Sequence, residues 1–146
     1  QNAPDEPAGV SMTETSKPIE RPLSPHLQIY RPMLTMMMSI AHRITGAALY
    51  IGTILVAWLL IAAATGPGAY ATAMGFLASW FGKLILFGYT WALLHHMLGG
   101  LRHFLWDFGY GYDLKTIDQL SWGSIVLSLV STAVVWGCVS SKMGGV

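Results

Sequence analysis

The segment ITGAALYIGTILVAWLLIAAA, residues 44–64, contains no charged side chain. About 20 apolar residues in a helix cross the ~30 Å hydrocarbon core of a bilayer. With the residues that precede it, this apolar segment extends over about 36–64, and two more segments follow at about 83–106 and 120–139. All three are long enough to span a membrane. The pattern therefore predicts an all-α integral membrane protein with three transmembrane helices.

The composition of the whole chain agrees with a membrane protein. Hydrophobic residues make up 53% of the 146 residues and charged residues only 10%, against about 25% charged residues in soluble domains. The net charge of +1 and the lack of a basic run exclude a nucleic-acid-binding protein. The single cysteine, Cys138, excludes an intrachain disulfide framework and a zinc site built on paired thiolates.

The charges divide the chain into two regions. Residues 1–20 are rich in acids and prolines without apolar periodicity, which predicts a disordered or loosely docked tail before a three-span anchor domain at 21–146. Positive charge gathers on the side of the membrane that holds the N-terminus and the second connection, which predicts a cytoplasmic or matrix N-terminus. That side holds Lys17, Arg21, Arg31, Arg43, Arg102 and Lys115, and the other side holds Lys83 and Lys142.

A first polar cluster, SIAHRITG at 39–46, opens the first span. Ser39, His42 and Arg43 stand at i, i+3 and i+4, so they share one helix face. A hydroxyl and a guanidinium at the edge of the bilayer are suited to donate hydrogen bonds to quinone carbonyls. The alternative is that Arg43 extends toward lipid phosphates.

A second cluster, HHMLGGLRH at 95–103, lies near the end of the second span. His96 is a candidate haem ligand, because a neutral imidazole binds haem iron and the glycines at 99 and 100 would clear space for a flat macrocycle. The alternative is that these glycines pack helices together and the histidines bond to neighbouring helices. His95 points about 100° away from His96, which favours a packing or hydrogen-bonding role.

Three motifs in this order, RPLSPHLQIY at 21–30, SIAHRITG at 39–46 and HHMLGGLRHFLWDFGYG at 95–111, resemble the cytochrome b subunit of succinate dehydrogenase, respiratory complex II. The resemblance implies a helix bundle shared with a second anchor subunit, and b-type haem ligated by His96. It places His42 and Arg43 near the haem propionates, and the spacing of the second cluster directs these propionates toward Arg102 and His103 as well. It also implies that Ser39 and Arg43 line the ubiquinone site, and that Asp107 contributes to it.

The resemblance further implies the partners of the chain. FAD belongs to a flavoprotein subunit and the iron–sulfur clusters to an iron–sulfur subunit, since this chain has neither a dinucleotide-binding glycine motif nor a cysteine cluster. A second membrane-anchor subunit supplies the other axial ligand, and ubiquinone accepts the electrons, in a bacterial or mitochondrial inner membrane. The alternatives are a haem-free anchor or assembly protein, and the anchor of a related quinol:fumarate reductase.

Overall fold

The computed structural model describes residues 21–143, apart from the side chain of Leu27. The chain divides into two compact units, of which the first ends at Arg31. The described part of the first unit contains one short helix, α1 (His26–Ile29). The tail predicted for residues 1–20 lies outside the described residues.

The second unit is built from four helices, and no strand occurs between residues 21 and 143. They are α2 (Leu34–Thr65), α3 (Pro67–Ala78), α4 (Trp80–Asp107) and α5 (Leu114–Met143). Of these, α2, α4 and α5 are long and apolar enough to cross a membrane. The prediction of an all-α protein with three membrane-spanning helices is confirmed.

The spanning helices extend beyond the predicted apolar segments. α2 has 32 residues, which corresponds to about 48 Å at ~1.5 Å per residue. Because the hydrocarbon core is only about 30 Å thick, one or both ends of α2 extend into the interfacial layers. α5 begins at Leu114 rather than near residue 120, because the carboxylate of Asp113 caps it: the backbone N–H of Thr116 donates to Asp113 Oδ2 at 2.9 Å.

The connection between α2 and α4 contains a helix that the apolar segments did not predict. Gly66 ends α2 with φ of 136°, a conformation that side chains disfavour. Pro67 then starts α3 at its first position, where proline is well tolerated. Ser79 ends α3 and caps α4, since Gly82 N–H donates to its Oγ at 3.1 Å.

α4 packs on α2, α3 and α5, and its contacts with α5 and α2 are the most extensive of the second unit. Few side chains are buried within the unit, and most of those are small, such as Ala73 and Ala92. Large apolar side chains are instead exposed along all three spans, for example Ile54 and Val134. Such a surface suits lipid and partner helices.

Candidate functional site

The polar clusters of α2 and α4 meet where these two helices pack together. The imidazole rings of His42 and His96 stack with centroids 3.9 Å apart and an interplanar angle of 14°. His42 lies in the third turn of α2 and His96 in the second half of α4. The antiparallel course of the two helices therefore brings SIAHRITG and HHMLGGLRH to the same level.

Each of the two rings packs against a glycine of the opposite helix. A Cβ added to Gly46 would lie 2.9 Å from Cε1 of His96, and a Cβ added to Gly99 would collide with the ring of His42. Gly99 therefore admits His42, which differs from the expectation that it clears space for a macrocycle. Gly100 has no atom within 4 Å of an added Cβ, so it keeps the expected open surface one turn from His96.

The hydrogen bonds of His96 define its tautomer. Nδ1 lies 3.1 Å from the backbone oxygen of His42, and because a carbonyl oxygen only accepts, Nδ1 carries the proton. Thr45 Oγ1 lies 3.4 Å from the same nitrogen and donates its own proton to the carbonyls of Ala41 and His42. Nε2 is left with its lone pair and without a hydrogen bond among the described residues. Metal-binding histidines usually donate their second ring N–H in this way.

The surroundings of His96 fit a haem group. His96 is half-buried, and the open surface at Gly100 lies one turn away. Nε2 of His42 is buried without a hydrogen-bond partner in residues 21–143, which leaves a polar atom for an additional group to satisfy. Haem iron binds a neutral imidazole through a ring nitrogen with a free lone pair, and Nε2 of His96 is such a nitrogen.

His103 extends this cluster toward the end of α4. Its ring meets His42 edge-on at 5.4 Å and Trp106 edge-on at 5.2 Å. The side chain of His103 is exposed. The structure thus brings three of the predicted site residues together, in the order His96, His42, His103.

His95 has a different environment from its neighbour. It is only 3% exposed, its ring stacks on Trp91 at 5.2 Å, and its Nδ1 lies 3.4 Å from Ser128 Oγ on α5. A porphyrin has no access to a ring enclosed in this way. This geometry supports the packing role that the sequence favoured for His95.

Arg102 makes no direct contact with the three clustered histidines among the described residues, although Trp106 lies between it and His103. Its Nη1 donates to Ser121 Oγ on α5 at 3.1 Å, and its guanidinium lies over the ring of Trp106 at 5.0 Å. The sequence alone did not single out Ser121. It belongs to a row of buried hydroxyl residues at helical spacing on α5, which could have indicated a polar face: Ser121, Ser124, Ser128 and Thr132.

Ser39 and Arg43 lie on the early turns of α2, beside His42 in sequence. Arg43 is exposed and Ser39 is half-buried. Neither side chain has a hydrogen bond or ion pair within the described part of the chain. Asp107, the last residue of α4, is likewise exposed. These polar groups are therefore available to a ligand or to another subunit.

The fold and the site define a class of protein: a multi-pass membrane subunit with a histidine pair between its first two spans. Residues 17–135 match the family described as succinate dehydrogenase/fumarate reductase transmembrane subunit. The chain belongs to this family, which confirms the resemblance carried by the three motifs.

Individual relatives agree with this assignment. The chain is 48% identical to the succinate dehydrogenase cytochrome b556 subunit of Paracoccus denitrificans, over 78% of this chain and 91% of the relative. It is 35% identical to the protein of the same name from Rickettsia prowazekii, over 80% and 91%. It is 34% identical to the mitochondrial cytochrome b560 subunit of Bos taurus, over 78% and 69%.

Proposed function

We propose that this chain anchors a succinate:ubiquinone oxidoreductase in the membrane, binds b-type haem through Nε2 of His96, and lines the ubiquinone site with Ser39 and Arg43. Its family makes the chain a transmembrane subunit of this class of oxidoreductase, whose succinate site lies in partner subunits. The observation that supports haem binding best is the 3.1 Å hydrogen bond from His96 Nδ1 to the His42 carbonyl, because it leaves Nε2 free.

The residues around His96 have separate roles in this proposal. The His42 carbonyl and Thr45 orient the imidazole, and Gly100 leaves space beside it. His42, Arg43 and His103 offer donors for the haem propionates. Arg102, which the sequence placed in the same group, donates to Ser121 on α5 and lies over Trp106, whose ring also meets His103, so its place on the propionate side stays a prediction. When bound, the haem supplies a one-electron carrier inside the membrane.

The ubiquinone site is proposed for the early turns of α2. Ser39 and the exposed Arg43 donate hydrogen bonds to a quinone oxygen there, and the fixed positive charge of Arg43 stabilises negative charge that develops on it. Arg43 does not supply the proton, because a guanidinium does not deprotonate in proteins. Asp107, exposed at the end of α4, is assigned to the same side of the membrane.

The partner subunits complete the site. A second anchor subunit would cover the exposed face of α2 and α4 and would help to hold the haem, while iron–sulfur and flavoprotein subunits would deliver electrons from succinate. The distribution of Lys and Arg supports a cytoplasmic or matrix side for the N-terminus, Arg43 and Lys115. We assign the chain to a bacterial or mitochondrial inner membrane, which its bacterial and mitochondrial relatives support.

A haem-free anchor is the second candidate, and one observation favours it. His42 fills the surface of Gly99, and the stacked rings hold α2 and α4 together without any added group. A quinol:fumarate reductase is the third candidate, because the family includes both enzymes and the direction of electron flow depends on redox potentials that spacing does not define.

The pyridine haemochromogen spectrum of the purified complex distinguishes the first two candidates. We expect a b-type signal in the unaltered complex, its loss in His96→Ala, and its retention in the matched variant His95→Ala. Weaker assembly is expected in His96→Tyr, since a bound cofactor stabilises the folded state. A normal signal in His96→Ala, with the subunits assembled, would favour the haem-free anchor.

A further inference from the structure

A second groove, distinct from the histidine cluster, lies between α4 and α5. Its volume is about 370 Å³, within the range of about 300–1,000 Å³ that ligand pockets occupy. Most of its lining is apolar and comes from leucines of both helices: Leu98, Leu101, Leu105, Leu120 and Leu127. Three polar side chains share the lining: Arg102, Gln119 and Ser124.

The groove runs along the membrane normal, from the α4–α5 connection toward the centre of the bilayer. Arg102 lies five residues before the end of α4 at Asp107, or about 8 Å at ~1.5 Å per residue. Leu98 lies a further turn inward on α4, and Leu127 lies two turns beyond Gln119 on α5. The interfacial layer on each side of a bilayer core is about 5–8 Å thick. The groove therefore holds its one charged side chain near headgroup depth, with Leu105 and Leu120 at a similar level, and its apolar lining continues inward to Leu98 and Leu127.

Arg102 brings an uncompensated charge to this groove. The side chain is only 5% exposed, and its one described hydrogen bond goes to a neutral hydroxyl, Ser121 Oγ. Its Nε is buried without a partner, and no acidic side chain in residues 21–143 pairs with it. A buried charge without a counter-charge is costly, so an anion is the complement that this groove requires.

We propose that the groove binds an anionic phospholipid from the leaflet on the side of the α4–α5 connection. The phosphate lies at the Arg102 end, and an acyl chain follows the leucines toward the membrane centre. A free phosphate would leave the leucine-lined part unused, whereas an uncharged quinone would leave the guanidinium charge unbalanced. An anionic lipid satisfies both halves of the groove.

Two pairs of variants separate the two halves of the site. Gly123→Leu fills the apolar part of the groove, and Gly137→Leu is its control on the same helix outside the groove. An added Cβ has no atom within 4 Å at either glycine, so both variants are expected to fold. Arg102→Gln removes the charge, and Arg102→Lys retains it.

The test uses the intact complex, purified in mild detergent, delipidated and titrated with phosphatidylglycerol. Native mass spectrometry counts the bound lipid. We expect Gly123→Leu and Arg102→Gln each to lose one phosphatidylglycerol per complex, or to need at least about tenfold more lipid for half-saturation. Gly137→Leu and Arg102→Lys should match the unaltered complex.

Control ligands decide between the possible occupants. We expect phosphatidylcholine to bind more weakly than phosphatidylglycerol, and inorganic phosphate not to displace it. The proposal is overturned by equal lipid counts in Gly123→Leu and Gly137→Leu, by equal binding of the two phospholipids, or by displacement of phosphatidylglycerol by a short-chain ubiquinone or by inorganic phosphate.

Discussion

The adjacent histidines of α4 have different surroundings because their rings leave the helix on different sides. His95 is enclosed between Trp91 and Ser128 at 3% exposure. His96 stacks on His42, with Nδ1 held by a carbonyl and Nε2 free. Burial, rather than residue type, makes only one of them a candidate ligand.

Arg43 provides a prediction for the quinone site. Arg43→Leu should lower ubiquinone reduction severely, by about tenfold or more, since a charged hydrogen bond to the substrate is lost. Succinate oxidation with an artificial acceptor should remain nearly intact, because that assay bypasses the membrane site. Arg43→Lys keeps the charge and should retain more of the quinone activity. An equal loss in both assays would indicate failed assembly instead.

At this scale the sequence predicted the residue types of the site better than their contacts. The sequence assigned His42 to the first polar cluster and His96 to the second, and the two rings meet in the structure. The contact between Gly99 and the His42 ring was not predictable, because it depends on how closely two helices approach each other. The position of Arg102 against Ser121 also depends on a third helix, which no motif covered.

The packing of α2 against α4 requires a close approach of the two helices at Gly46 and Gly99. Gly99→Ala should destabilise the assembled complex by about 1–3 kcal/mol, because the added Cβ collides with the His42 ring. Gly88→Ala is the matched control on the same helix, since nothing lies within 4 Å of its added Cβ. Thermal unfolding in detergent measures both. Equal melting temperatures for the two variants would show that the α2–α4 approach tolerates a methyl group.

The start of α5 provides a prediction about pH. Hydrogen bonds donated by Thr116, first from its side chain and then from its backbone N–H, hold the pKa of the Asp113 carboxyl below its ordinary value. A lowered folded-state pKa stabilises the cap above the ordinary value of about 3.9, and this stabilisation is lost as the pH falls through the lower value. Amide-exchange protection of residues 114–118, corrected for intrinsic rates, should therefore fall at acidic pH.

Asp113→Asn is the control for this cap. Asparagine retains an accepting oxygen but does not titrate, so protection of the same amides should lose most of its dependence on acidic pH. Protection that falls equally in both proteins would assign the acid effect to other groups.

The three spanning helices could be predicted from the sequence, because hydropathy alone is enough to indicate them. α3 was not predicted, because an uncharged, glycine-containing connection resembles a loop. The glycine and proline at residues 66 and 67 are nevertheless a usual end-and-start signal for helices. The early start of α5 is due to Asp113, whose capping contact extends the helix beyond the apolar segment.

At the scale of the whole molecule, the exposed apolar surface and the asymmetric charges define how the chain sits in a membrane. Positive residues predict the same side for the N-terminus and Lys115, and the other side for Lys142. In a Cys138→Ser background, Lys115→Cys should react with an impermeant maleimide only from the cytoplasmic or matrix side, and Lys142→Cys only from the other side. The reversed pattern would contradict the orientation.

The most direct test of haem binding is an experimental density map of the assembled complex, which shows what lies beside the His96 ring. We predict a porphyrin between the α2–α4 face of this chain and the second anchor subunit, with the iron on Nε2 of His96 and Nδ1 still on the His42 carbonyl. A side-chain contact in place of the porphyrin, or iron bound to another residue of this chain, would contradict the account.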